Sequence, residues 1–353
     1  MPKKIAPVHP AELEFGIGCG QRAASARKPN TGPMHADSSV MRKIRTLIII
    51  VAILGVAIGV TWIVLADRTP VYEYRGVAPP SAGPLATAKA PRLILVLGGG
   101  GPRGFAHIGV LKVLEQEGIL PDLIVGSSMG SLIGVLYGAD PNVARLEARA
   151  LQLNPRLYWR DLTLVRSPYL KGDLLENLVR EAVDGKSLTA LAIPVVAVVT
   201  DVQSGAPLAF TGGDAAAAVR ASTAIPGTFK RVRIAGREYF DGDISAPVPV
   251  RVARALGARV VIAVDVMSRP SDMPEEMRDY PDLMLSDFFR YAINLRDLEQ
   301  ADVVIAPRLG YYSGWSREMR EHDIAVGESA ARSALPAIRN AIGAFGPAAA
   351  PAR

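Results

Sequence analysis

The sequence predicts an α/β domain whose mostly parallel central sheet is sandwiched by helices, with one long apolar segment ahead of it. Short runs that are apolar throughout recur along the chain: "RLILVL", "DLIV", "IPVVAVVT", "RVVIAVDV" and "DVVIAP". A strand with one wet face alternates, so unbroken runs of this kind belong in a sheet covered on both faces. Stretches with helical spacing fall between and after them, which is the pattern of strands wrapped by helices. A chain of 353 residues, 49% hydrophobic, has ample material for one large core.

Residues 1–45 form a basic tail with eight Lys/Arg against three acids, so most of the chain's net charge of +6 sits there. The remainder is nearly neutral, which leaves the globular part without the footprint of a nucleic-acid binder. Residues 46–66 carry no charge over 21 positions, the length that crosses a bilayer core. Positive charge precedes this segment and is almost absent just after it. A transmembrane helix there is expected to keep the N-terminus cytoplasmic and to export the rest, to the periplasmic side in a bacterium. A start at Met41 gives a second reading, in which "MRKIRT" is the charged region of a signal peptide and "VLA" before Asp67 its cleavage site. Cys19, the only cysteine, precedes the apolar run, so the domain has neither a disulfide nor a thiol nucleophile. Residues 67–90, rich in Pro, Ala and Gly, read as a linker.

From residue 91 the elements follow in order. "RLILVL" is the first strand, and "FAHIGVLKVLEQEG" is a helix with Phe105, Ile108, Leu111 and Leu114 on one face and Gly118 as its stop. "DLIV" is a second strand and "GSLIGVLYG" a second helix. The remaining apolar runs are further strands, with "RDLEQ" and "ESAARSALPAIRNAI" as later helices. Functional residues are expected beyond the carboxyl ends of such strands.

Two stretches at those ends carry chemistry. Gly126-Ser127-Ser128-Met129-Gly130 is a G-x-S-x-G between a predicted strand and a predicted helix. There a tight turn can hold Ser128 exposed at a helix N-terminus, where developing negative charge is favoured. A plain helix cap by Ser127 or Ser128 is the alternative. The other stretch, Gly98 to Gly104, contains Gly99-x-Gly101-x-x-Gly104. That spacing also fits a dinucleotide loop, which needs an acid at the end of the second strand; here the serine turn stands there and Asp122 lies at the wrong end, so no nucleotide partner is expected. Bare backbone at a strand end also suits an oxyanion hole. Gly99, Gly100 and Gly101 leave room for an ester carbonyl, with Arg103 lending positive charge or anchoring the loop. A serine needs a base. His9 and His35 lie in the tail, and His107, inside an apolar helix, reads as a packing residue. His322 would complete the chain order Ser128, Asp241, His322 of an α/β-hydrolase triad.

Three ordered motifs, in "LVLGGGGPRGFAHIGVL", "DLIVGSSMGSLIGVLYG" and "FDGDISAPVPV", make the chain resemble the patatin-like phospholipase family from about residue 93 to 256, and more loosely to about 343. The resemblance implies a three-layer hydrolase domain over 91–345 with its core at 93–256, followed by an unstructured C-terminus at 346–353. It implies an oxyanion motif at Gly99 through Gly104, a nucleophile at Ser128 and, from the D-G-[GA] motif at Asp241 and Gly242, a base at Asp241. It also implies a Ser–Asp dyad acting through an acyl-enzyme, with no catalytic histidine, no cofactor and no metal. The expected substrate is a membrane lipid acyl ester, and the segment at 46–66 would hold the enzyme at the membrane. Asp243 departs from the family's Gly or Ala and is expected to face solvent; Ala246 stands where relatives often carry Asn. "RASTAIPG", Arg220 to Gly227, is expected to be structural. An inactive membrane-tethered scaffold is the reading from another class, against which the retained Ser128, Asp241 and glycine loop speak.

Overall fold

The computed structural model describes residues 71–74, 92–154 and 169–344. The chain divides between Ala66 and Asp67. The predicted tail, the apolar segment at 46–66 and the C-terminus at 346–353 lie outside the described residues. Among the described residues, no helix is long and apolar enough to cross a membrane.

The chain runs through β1 (Val71–Tyr74), β2 (Leu93–Leu97), α1 (Ala106–Gln116), β3 (Leu123–Ser127), α2 (Met129–Ala139), α3 (Val143–Gln152) and α4 (Asp173–Val183). It continues through β4 (Val195–Asp201), β5 (Pro207–Phe210), α5 (Ala215–Ser222), β6 (Arg231–Ile234), β7 (Arg237–Asp241) and α6 (Val250–Ala255). Then come β8 (Val260–Val264), α7 (Pro281–Leu298), β9 (Val303–Ile305) and α8 (Arg317–Gly343). The strands form one sheet in the order β1-β6-β7-β4-β3-β2-β8-β9, with β5 also on β4. The pairings among β2, β3, β4, β8 and β9 are all parallel, as unbroken apolar runs require.

Alternation within those runs divides the core in two. Leu95, Leu97 and Ile124 face a large cluster with α1, α2 and α8. Ile94, Val96, Leu123 and Val125 face a smaller one with Val250 and Ala253 of α6. The domain is thus a helix-sheet-helix sandwich.

Three elements differ from the sequence reading. Within the predicted linker, Val71–Tyr74 form β1, paired parallel to β6. The motif region around Asp241 is an antiparallel hairpin, β6 and β7, turning at Ala235 and Gly236, both at positive φ. The helix read at "RDLEQ" is the end of the much longer α7.

The hairpin decides where the site forms. Ser127 of β3 pairs with Val198 of β4, and Asp241 of β7 pairs with the next residue, Val199. β5 occupies the opposite edge of both. β3 runs parallel to β4 and β7 antiparallel to it, so the two strands meet along one edge with their carboxyl ends facing. Ser128 follows one end and Asp241 is the other.

Candidate active site

Ser128 holds φ 50° and ψ −123°, a conformation unfavourable for a residue with a side chain. The glycines on either side permit the turn. A Cβ on Gly130 would lie 2.0 Å from the Leu97 carbonyl oxygen, and one on Gly126 would lie 2.5 Å from the Gly130 carbonyl oxygen. α2 therefore packs directly onto the carboxyl end of β2. The Ser128 amide donates to Ser222 Oγ at 3.0 Å, and that hydroxyl donates to the Val198 carbonyl at 2.6 Å. The cap alternative fails: as N-cap of α2, Ser128 makes no side-chain capping bond.

The Ser128 hydroxyl donates instead to Asp241 Oδ2 at 2.8 Å. Asp241 Oδ1 accepts from the Asp243 amide at 2.8 Å. The backbone of Asp241 is fixed on both sides, its amide donating to the Ala224 carbonyl at 3.1 Å and its carbonyl accepting from Thr200 Oγ1 at 2.7 Å. Gly242 must lack a side chain, because a Cβ there would lie 2.2 Å from the Val198 carbonyl oxygen. Ser128 is 5% exposed and Asp241 2%. Burial, reinforced by the neighbouring Asp243 charge, pushes the Asp241 carboxyl up to about 8, while the Asp243 amide, the Ser128 hydroxyl and the Arg290 charge pull it down.

Asp243 does not face solvent as expected. Its carboxylate pairs with the Arg290 guanidinium from α7 and lies over Gly99, where a Cβ would sit 2.7 Å from Oδ1. The half-buried guanidinium fixes it there.

The glycine loop leaves β2 beside this pair. The Gly98 amide donates to Val264 O at 3.0 Å and the Gly99 amide to Pro247 O at 2.9 Å; Gly99 thus has no free donor, and the space beside its Cα holds Asp243 rather than an ester carbonyl. Gly100 and Gly101 take φ 156° and 57° and, among the described residues, donate no backbone bond outside the helices and strands. Arg103 serves as an anchor, its guanidinium donating to the carbonyls of Gly310 and Tyr311. Gly104 packs against Met129, with space for no Cβ. His107 is fully buried with Nε2 2.8 Å from Gly98 O, and burial lowers its pKa to about 4: a neutral packing residue, as read. His322 is exposed on α8. The Ser128–Asp241 bond is direct, with no imidazole between the two side chains.

An apolar cavity of about 450 Å³ is lined by Met129, the residue that follows Ser128 in the chain, and among others by Phe105, Leu132, Leu136, Leu153 and Trp315. Its size and lining suit a hydrocarbon chain.

Ser222, Thr200 and Arg290 belong to the site's framework and were not singled out from the sequence. Only "RASTAIPG" carried a signal, and Ser222 fills its structural role there.

Residues 95–254 match the family model described as Patatin-like phospholipase. An uncharacterised NTE family protein of Mycobacterium tuberculosis is 34% identical over 192 residues, 53% of this chain and 52% of that protein. Human patatin-like phospholipase domain-containing protein 6 is 35% identical over 187 residues, 50% of this chain and 13% of that one. Lysophospholipase nte1 of Aspergillus fumigatus is 32% identical over 218 residues, covering 60% and 14%. The chain thus spans about half or less of the length of these curated relatives. Among solved structures, VipD from Legionella pneumophila aligns with a TM-score of 0.47 at 12% identity, over 70% of this chain and 67% of that one.

Proposed function

We propose, from the premise that the chain carries a patatin-like phospholipase domain, that it is a serine hydrolase of phospholipid, lysophospholipid or related lipid acyl esters. The observation that carries this reading is the hydrogen bond from Ser128 Oγ to Asp241 Oδ2 at 2.8 Å. Asp241 takes the hydroxyl proton as Ser128 Oγ bonds to the ester carbonyl carbon, and the carbonyl oxygen becomes an oxyanion. Amides of Gly100 and Gly101, and the first turn of α2, are the donors available to that charge. Collapse expels the alcohol, which takes the proton back from Asp241 and leaves acyl-Ser128. Water, deprotonated by the same carboxylate, then releases the fatty acid and restores the serine. A carboxyl raised toward neutrality is a better base for this work than an ordinary one. The acyl chain fits the cavity beside Met129.

The chain is anchored by residues 46–66 as a single-pass segment, with its N-terminus cytoplasmic and the hydrolase domain exported. Tethering then keeps the site close to lipid.

A lipid panel assayed with purified full-length protein tests the hydrolase reading. The wild type is expected to release fatty acid and lysolipid or headgroup alcohol from at least one class, and Ser128→Ala none. Folded wild type that consumes no lipid, or Ser128→Ala that retains hydrolysis, contradicts it.

A further inference from the structure

Helix α7 is amphipathic in the reverse sense. At 3.6 residues per turn, Leu285, Phe288, Phe289, Ala292 and Leu295 share one side of it. That side faces outward: Leu285 is 54% exposed, Phe288 50%, Phe289 62% and Leu295 46%. The inward side is polar and bound to the body of the domain. Asp287 bonds the Tyr311 hydroxyl, Arg290 pairs with Asp243, Asn294 bonds Asp265, and Asp297 pairs with Arg251. A helix on a water-facing surface does the opposite.

We propose that this outward face of α7 is the surface by which the domain docks on a lipid bilayer, beside the mouth of the site. The proposal rests on the hydrolase reading for its purpose, and three observations select a bilayer as the occupant. First, the same helix holds Asp243 against Gly99 from its inward side, so whatever covers the outward side lies next to the reacting ester. Second, exposed aromatics with a polar tip adjoin the helix: Tyr280, its N-cap, at 58%, and Tyr312, next in the chain to the Tyr311 that bonds Asp287, at 63%. Such residues suit the boundary between headgroups and hydrocarbon. Third, four half-exposed side chains of this size present on the order of 400 Å², about half of what each partner buries in a stable dimer.

The test uses the full chain reconstituted in phosphatidylcholine vesicles. In a Cys19→Ser background, Phe289→Cys carries an environment-sensitive fluorophore; Leu120→Cys, exposed where the chain enters β3 and so at the opposite end of the strands from Ser128, carries the same label as a control. The expected result is a blue-shifted label at 289 that lipids bearing a chain-attached quencher extinguish, and an unquenched label at 120. In parallel, Phe288→Ser with Phe289→Ser should cut hydrolysis of vesicle phospholipid at least tenfold, while hydrolysis of a soluble monomeric butyrate ester changes less than twofold.

A label at 289 that stays in water overturns the proposal. So does a label that shifts without lipid quenching, which means the face is covered by a second copy or by another segment of the chain. Equal loss on both substrates also overturns it. A wild type inactive on both substrates sinks the hydrolase reading instead, and the label at 289 still decides docking.

Discussion

Ser128 and Asp241 lie 2.8 Å apart yet are held by unlike means. The half that carries the proposed nucleophile is built from backbone. β2, β3 and α2 meet there with no side chain at Gly126 or Gly130, and a strained serine sits on the turn. The half that carries the proposed base is built from charge, with Asp243 beside Asp241 and Arg290 from α7 compensating it. A backbone turn tolerates almost no change in volume. An ion-paired half can be retuned one charge at a time, and pH acts on it directly.

The largest effect should come from the two residues that touch. Ser128→Ala and Asp241→Asn are each expected to lower kcat on a soluble ester by about 10⁴-fold or more, and the double variant should be little worse than either, because they act as a unit. An additive double variant would separate them.

Gly130→Ala probes the backbone half. The new methyl meets the Leu97 carbonyl oxygen at 2.0 Å, and a paired strand cannot move aside. A loss of about 3 kcal/mol or more in urea unfolding is expected, in the upper range for overpacked sites. Stability within 1 kcal/mol of wild type would show that the turn is softer than its geometry implies.

The charged half should respond in two directions. Arg290→Met removes a cation that lowers the Asp241 pKa and leaves Asp243 unpaired, so the acid limb of the pH–rate profile moves to higher pH and kcat at neutral pH falls about tenfold. Asp243→Asn removes a charge that raises it, so the limb moves to lower pH. The double variant should lie between them. Identical limbs in all three would show that the pair does not reach Asp241.

A smaller effect concerns stability. The folded Asp241 carboxyl titrates at about 8 against about 4 in an unfolded chain. Below pH 4 both states hold the proton. Between about 4 and 8 the unfolded state releases it while the folded state keeps it, so this group destabilises the fold increasingly as pH rises through that window. Asp241→Asn removes that loss. Its Tm should exceed that of wild type by a margin that widens from pH 4 to 8, reaching about 5 °C or more. A constant margin would contradict the raised pKa.

Legibility followed the same division. β2, β3, β4 and β8 are legible because a strand buried on both faces leaves an unbroken apolar run, and the elbow because its glycines are fixed by contact with backbone; β9 shows an apolar run too, although Val304 faces out. The β6–β7 hairpin leaves only a short signal, the alternation of "RVRIAGREYF" around Ala235-Gly236, next to the stronger pattern of the Asp241-Gly242 motif. β1 was hidden in Pro- and Ala-rich surroundings, and four residues are too short a run to announce a strand. Asp243 was misplaced for a different reason: its partner, Arg290, is 47 residues away, and nothing in the local pattern names it. Only the tail end of α7 was read as helix. Its apolar residues do recur with helical spacing, but no period says which side faces out.

The central claim is that Ser128 is the nucleophile and that a carboxylate, not an imidazole, activates it. Mass mapping of the protein after reaction with a fluorophosphonate ester tests it most directly. The adduct should fall on Ser128 in wild type, form at an undiminished rate in His322→Ala, and form far more slowly in Asp241→Asn. An adduct elsewhere, or a rate lost in His322→Ala and kept in Asp241→Asn, would contradict the account.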